Sequence, residues 1–157
     1  MRKVRLLGLL VAASFLIGCG QNPIAAIYDN DSKIASEGNS YNYYRDVKQD
    51  FDESDFTASV RGMDGMDTIW SYDCDSDSEI QINFDMANNV GDVKLVLISP
   101  DGELKTILEC TNEETLEGSK SLNIKKGENR IKVVARDKAK FDVSLNIDKG
   151  SFERMGF

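Results

Sequence analysis

The stretch Glu79-Ile80-Gln81-Ile82-Asn83-Phe84-Asp85-Met86 alternates polar and apolar residues without interruption. A period of two places the apolar side chains on one face of a β-strand and the polar ones on the other. The same alternation returns in Phe141-Asp142-Val143-Ser144-Leu145-Asn146-Ile147-Asp148 and, in shorter form, in Ser121-Leu122-Asn123-Ile124-Lys125. By contrast, Val93-Lys94-Leu95-Val96-Leu97-Ile98 is apolar on both faces, which is typical of a central strand.

Turn residues separate these runs. Ser99-Pro100-Asp101-Gly102 joins a proline with preset φ to a glycine that tolerates positive φ. Lys126-Gly127-Glu128-Asn129 and Asn88-Asn89-Val90-Gly91-Asp92 divide further pairs of strands. About eight short strands, with turns about every 8–12 residues and no long helix, predict an all-β protein. The expected architecture is an antiparallel, jelly-roll-like β-sandwich, with a closed barrel as the alternative.

The parity of the apolar residues predicts a core large enough to fold without cross-links, since each large buried side chain contributes about 1.5–3 kcal/mol. Its predicted members are Phe56, Ile69, Trp70, Tyr72, Ile80, Ile82, Phe84, Leu95, Leu97, Leu108, Leu122, Ile124, Ile131, Val133, Phe141, Val143, Leu145 and Ile147.

The start of the chain has the pattern of an export signal. A basic beginning is followed by an apolar run from Leu6 to Ile17, too short for a permanent membrane span. The run closes with Leu16-Ile17-Gly18-Cys19, which resembles the lipobox of bacterial lipoproteins. This resemblance implies cleavage before Cys19, acylation of its thiol with diacylglycerol and palmitate, and anchoring to the extracytoplasmic face of the cell membrane.

Three regions are therefore expected. Residues 1–18 form the signal peptide, residues 19–40 the lipidated cysteine with a polar, flexible tether, and residues 41–157 the β-sandwich domain. Within the last region, the spacing of Tyr44, Val47 and Phe51 fits either two helical turns or an edge strand.

Composition excludes several functions. The chain after residue 18 carries 16 basic and 27 acidic residues, a net charge of −11 that opposes nucleic-acid binding. Because the sequence contains no histidine, Ser-His-Asp and Cys-His catalysis and the commonest zinc ligand are ruled out. Hydrolysis by carboxylates alone stays open. The sequence predicts no cofactor, although a calcium ion is a possible ligand.

Alternating carboxylates make up the one candidate metal site, Asp73, Asp75, Asp77 and Glu79. Calcium prefers such oxygen ligands, but the glycine and glutamate of an EF-hand loop are missing. On an extended strand these side chains would lie about 6.6 Å apart, too far for one ion. Solvated carboxylates at a strand end are therefore favoured over a loose calcium site.

Two cysteines remain once Cys19 is acylated. The exported compartment permits a disulfide between Cys74 and Cys110, and the alternative is two buried free thiols.

The stretches 93–109 and 122–133 are similar to small exported β-domains of Gram-positive gut-type bacteria. That resemblance covers about residues 55–148 and implies no functional residue.

The sequence favours a non-catalytic, membrane-anchored module that binds a surface ligand: a glycan, a wall polymer or an envelope protein. The alternatives are a structural or accessory subunit of an envelope complex and, last, a carboxylate-only glycoside hydrolase. A basic zone between Lys120 and Lys140 reads as exposed strand edges or, less favoured, as a surface for an anionic partner.

Overall fold

A computed structural model describes residues 22–156 as an antiparallel β-sandwich, which confirms the predicted fold class. Two short helices precede the strands: a 3-10 helix, Ala25–Asp29, and α1, Asp31–Ile34. The strands are β1 (Ser40–Tyr43), β2 (Val47–Phe51), β3 (Asp55–Cys74), β4 (Ser78–Ile98), β5 (Leu104–Cys110), β6 (Glu114–Ile124), β7 (Gly127–Ile147) and β8 (Ser151–Phe152).

Three of these strands, β3, β4 and β7, are 20 or 21 residues long and bend at the same level. At this level, register shifts lie in residues 61–65 of β3 and 88–92 of β4, next to residues 135–140 of β7; β3 has a further shift between Thr68 and Trp70. Positive φ angles at Gly65, Gly91 and Asp137 accompany the bends. The expected turn at Asn88–Asp92 is therefore wrong: it is a bend inside one continuous strand.

Because the long strands bend together, each contributes to both layers of the sandwich. The first layer has the order β2–β3–β7–β4–β6, and the second has β1 and β8 beside β3, followed by β7, β4 and β5. The Phe56 ring of the first layer stacks on the Phe152 ring of the second, with 5.3 Å between centroids. Val47–Phe51 is an edge strand, which settles the helix-or-strand alternative.

The core between the layers matches the predicted set. Sixteen of the eighteen predicted residues are buried, while Tyr72 and Phe84 are partly buried and pack against the core. The strand segment 93–98 is central, as expected, because β4 lies between β7 and β5.

Residues 22–35 differ from the expected flexible tether. Ile27, Tyr28 and Ile34 are 5%, 1% and 0% exposed, and they cover Val96 and Val134 on the outer face of the second layer. This second apolar cluster explains why the central strand is apolar on both faces.

Polar contacts hold the same segment in place. The Tyr28 hydroxyl donates to Glu109 Oε1 at 2.6 Å. Lys132, fully buried beneath the segment, donates from Nζ to the carbonyls of Ser36 at 2.7 Å and Gly38 at 2.8 Å. Burial lowers the pKa of Lys132 to about 8.

Within residues 22–156, the helices are too short and too polar to cross a bilayer.

Candidate functional site: a polar groove on the first layer

A shallow groove of about 510 Å³ crosses the outer face of the first layer. It is lined by two adjacent cross-strand rows that the register of β2, β3, β7 and β4 brings together. The rows are Lys48–Ser59–Asp142–Ala87 and Asp50–Thr57–Ser144–Asp85. In the second row the central Thr57 and Ser144 are shorter than the marginal Asp50 and Asp85, and in the first row the small Ala87 lies opposite Lys48 at the far margin.

One carboxylate of the groove is held by its neighbours. Arg61 donates to both oxygens of Asp142, from Nη2 at 2.8 Å and from Nη1 at 3.2 Å, and Ser59 Oγ donates to the same carboxylate. Burial raises the pKa of Asp142, but the hydrogen bonds from Arg61 and Ser59 outweigh it and lower the pKa below its usual value. Asp142 is therefore ionised and fixed in position.

Other polar groups of the groove face solvent. Asp85 and Ser144 are exposed and occupy opposite positions on β4 and β7. Asp50 is exposed on β2, one strand beyond Thr57. A ligand lying in the groove would meet carboxylate acceptors at its margins and hydroxyl groups, which both donate and accept, along its floor.

The carboxylates singled out from the sequence lie elsewhere, at the β3–β4 turn. Asp73 and Asp75 are exposed, Asp77 Oδ1 accepts from the Lys126 backbone N–H at 2.8 Å, and Glu79 Oε1 accepts from Gln81 Nε2 at 3.0 Å. Throughout the described part of the chain, no three acidic or cysteine side chains converge as metal ligands would. The calcium hypothesis thus gains no geometric support.

Cys74 and Cys110 are free, buried thiols, so the disulfide that the sequence leaves open is not formed. Cys74 pairs with Gly127 of β7, whereas Cys110 is aligned through Val93 with Ala135. Eight residues of strand separate these levels, roughly 26 Å at 3.3 Å per residue, and a disulfide needs Cα atoms within about 7 Å. Burial raises the pKa of Cys110 to about 11.

The third cysteine singled out from the sequence, Cys19, lies outside the described residues, as does the signal peptide.

The basic zone between residues 120 and 140 does not form one surface. Lys125 pairs with Asp101 and Glu103, Arg136 pairs with Asp29 and Asp92, and Lys132 is buried. Lys140 alone joins the rim of the groove region, beside Arg61.

Fold and groove together define the class of molecule: an antiparallel β-sandwich with an open polar groove on one outer face. No family model matches the chain, and no curated protein is similar to it in sequence.

Several solved structures show a distant similarity to the chain. The pre-peptidase C-terminal domain of a collagenase from Bacillus anthracis is 19% identical over 61% of this chain and 89% of that domain, with a TM-score of 0.42. A family 35 carbohydrate-binding module from Clostridium thermocellum is 12% identical over 71% and 92%, with a TM-score of 0.37. A carbohydrate-binding module of lichenase 5A from Cellvibrio mixtus, in complex with cellotriose, is 11% identical over 65% and 89%, also with a TM-score of 0.37. Likeness at this level bears on neither ligand nor activity.

Proposed function

We propose that the mature chain is a lipoprotein anchored to the extracytoplasmic face of the cell membrane, and that its groove binds a glycan without acting on it. The observation that carries the binding part is the groove itself. Its volume of about 510 Å³ lies within the usual range of small-ligand sites.

The chemistry of the groove suits sugar hydroxyls. Each hydroxyl of a glycan both donates and accepts, so it needs acceptors and donors side by side. Asp85 and Asp50 supply carboxylate acceptors at the margins, while Thr57 and Ser144 supply hydroxyls between them. Hydrogen bonds to charged groups contribute about 1.5–3 kcal/mol each.

A binding role is favoured over hydrolysis by the state of the carboxyl groups. Glycoside hydrolysis needs a carboxylic acid that keeps its proton near neutral pH and reaches the glycosidic oxygen. Asp67 has a pKa raised to about 6 by burial, but its side chain is fully buried. In the groove, Asp142 has a lowered pKa and a bidentate Arg61 partner.

The anchoring part is supported by the sequence Leu16-Ile17-Gly18-Cys19 and the apolar run before it. Metabolic labelling with palmitate in the native host tests it directly, with Cys19→Ser as the control that should carry no label. Label that persists in the variant would contradict acylation at this residue.

Filling the groove tests the binding part. On a glycan array, the acyl-free chain beginning at Gly20 should bind a defined set of sugars, and Ser144→Tyr should weaken that binding at least about tenfold, because a bulky side chain replaces one on the groove floor. Strand positions accept tyrosine well, so the fold should persist.

The matched control is Asn123→Tyr. Asn123 is an exposed residue of β6 that does not line the groove, so the variant adds the same side chain elsewhere on the surface. It should bind as the parent chain does. Equal losses in both variants, or no sugar bound by the parent chain, would contradict the proposal and favour an accessory role in an envelope complex.

A further inference from the structure

A second cavity, of about 400 Å³, continues the groove toward the bends of the long strands. We name it the cationic pocket; it is lined by Arg45, Asp46, Lys48, Ser59, Arg61 and Lys140. Arg61 pairs with Asp142, whereas Arg45, Lys48 and Lys140 make no ion pair with any residue between 22 and 156. Among the lining residues, Asp46 is the one acidic side chain beside these four cations.

This convergence is unusual in a chain with eleven more acidic than basic residues after its predicted cleavage site. Two basic side chains elsewhere are neutralised, because Lys125 contacts Asp101 and Glu103, and Arg136 contacts Asp29 and Asp92. Like charges gathered in one cavity repel each other, and an anion bound among them relieves that repulsion. The cationic pocket is therefore suited to a negatively charged group.

Two exposed side chains neighbour lining residues of the pocket in sequence or in register. In the described residues, the large hydrophobic side chains that are exposed are Tyr44, at 43%, and Val90, at 37%. Tyr44 directly precedes Arg45, and Val90 is the register partner of Lys140. Tyrosine is enriched where proteins meet the headgroup region of a bilayer.

Asn22, where the described part of the chain begins, contacts this surface. Asn22 Nδ2 donates to the Tyr44 hydroxyl at 3.2 Å and to Asp64 Oδ2 at 2.7 Å. Asn22 is three residue steps beyond Cys19, and three steps of extended chain span at most about 11 Å. A lipid on Cys19 therefore brings Tyr44 and its neighbours to the headgroups.

We propose that the cationic pocket holds the phosphate of an anionic phospholipid headgroup, so that this end of the sandwich sits on the membrane and the polar groove leads away from it. The proposal rests on the anchoring part of the proposed function and is independent of glycan binding. One end of the sandwich carries the four cations, the exposed Tyr44 and Val90, and the contacts of Asn22 with Tyr44 and Asp64. The acidic remainder of the surface, repelled by anionic lipids, would turn outward.

Vesicle co-sedimentation tests the pocket. The acyl-free chain beginning at Gly20 keeps every described residue. At low salt it should bind vesicles of phosphatidylcholine and phosphatidylglycerol better than vesicles of phosphatidylcholine alone. The double variant Arg45→Gln/Lys140→Gln should bind the anionic vesicles roughly tenfold or more weakly, since each cation near such a surface contributes about fivefold.

The matched control is Lys105→Gln/Lys126→Gln, which removes two exposed cations at the far end of the sandwich. It should change the affinity less than about twofold. Equal losses in the two double variants would overturn the proposal, because general charge would then explain the binding. Inorganic phosphate, added with neutral vesicles, is the second comparison. If it slowed backbone hydrogen exchange at the pocket, the pocket would be assigned to a soluble anion instead of a lipid.

An anchored form keeps the test decisive when the free chain binds too weakly to sediment. Because Cys74 and Cys110 are buried, a chain beginning at Cys19 can be coupled through that thiol to a maleimide lipid. Backbone hydrogen exchange of residues 44–46 and 89–91 should slow severalfold on anionic vesicles, and the double variant should abolish the difference. Unchanged exchange would overturn the proposal. Since the coupling is chemical, palmitate labelling in the host still reports separately on the anchor.

Discussion

Gly65→Ala should lower the free energy of unfolding by about 4 kcal/mol, because two costs combine at this position. Gly65 has φ of +100°, a conformation that side chains with a Cβ rarely adopt. A Cβ there would also lie 2.1 Å from the Ser40 carbonyl oxygen and 2.7 Å from Ile24 Cγ2. The variant must therefore push β1 and the N-terminal segment away from the bend of β3. Urea unfolding followed by the fluorescence of Trp70, the only tryptophan, measures the loss.

Gly102→Ala separates strain from steric conflict. Gly102 also has positive φ, +81°, but no atom lies within 4 Å of its added Cβ. This variant should lose only about 1–2 kcal/mol, the cost of the left-handed conformation alone. If Gly65→Ala cost no more than Gly102→Ala, close approach of β1 to the bend would not stabilise the sandwich.

The alternation of apolar residues was enough to predict which side chains form the core. Each run of period two assigns its own faces, and among the predicted core residues only Tyr72 and Phe84 stay partly exposed. The bend at Asn88–Asp92 could not be told from a turn, since a glycine with positive φ serves both. Whether the chain reverses there or continues through a bend depends on whether β3 and β7 bend beside it at the same level.

The groove and the cationic pocket could not be predicted, because the residues that line them are distant from one another in sequence. Lys48, Ser59 and Asp142 become one row only through the register of three strands. In the sequence, each appears as an ordinary outward-facing polar residue. The signal available was the parity itself: in the two fully alternating runs, Asp85, Asp142 and Ser144 were already assigned to the exposed face.

The N-terminal segment shows how composition misleads over short lengths. Residues 20–40 contain few large apolar groups and many polar ones, a composition typical of tethers. Three of those few groups, Ile27, Tyr28 and Ile34, nevertheless cover an apolar face of the second layer that would otherwise meet water. The continuous apolar strand 93–98 was the sequence signal that something must cover its outer side.

Tyr28→Ala should lower the free energy of unfolding by about 3–5 kcal/mol, as large aromatic-to-alanine changes in a core do. Tyr28 is 1% exposed, and its ring lies between Lys94 Nζ, 4.5 Å from the centroid, and Arg136 Cζ, 4.3 Å away. Burial, followed by the hydrogen bond to Glu109, raises the pKa of its hydroxyl well above the usual range. Urea unfolding measures the loss, and hydrogen exchange should show reduced protection of the amides of residues 26–35.

Tyr28→Phe is the matched control, since it keeps the ring between both cations and removes only the hydrogen bond to Glu109. Its cost should be about 1.5 kcal/mol. A flexible tether at this position would instead make both variants nearly neutral, within about 0.5 kcal/mol of the parent chain. That outcome would contradict the docked segment.

Tyr28→Ala also tests the membrane proposal, because it should release the N-terminal segment from the sandwich. With the segment docked, about 11 Å of chain lies between Cys19 and the folded surface at Asn22. With the segment released, about 20 residues separate the anchor from β1, and such a coil spans roughly 25 Å. Tyr28→Ala should therefore weaken the lipid-dependent protection of residues 44–46 in the anchored form, although the cations of the pocket are intact. If this protection survived release of the segment, the pocket would bind the membrane without help from the contacts of Asn22.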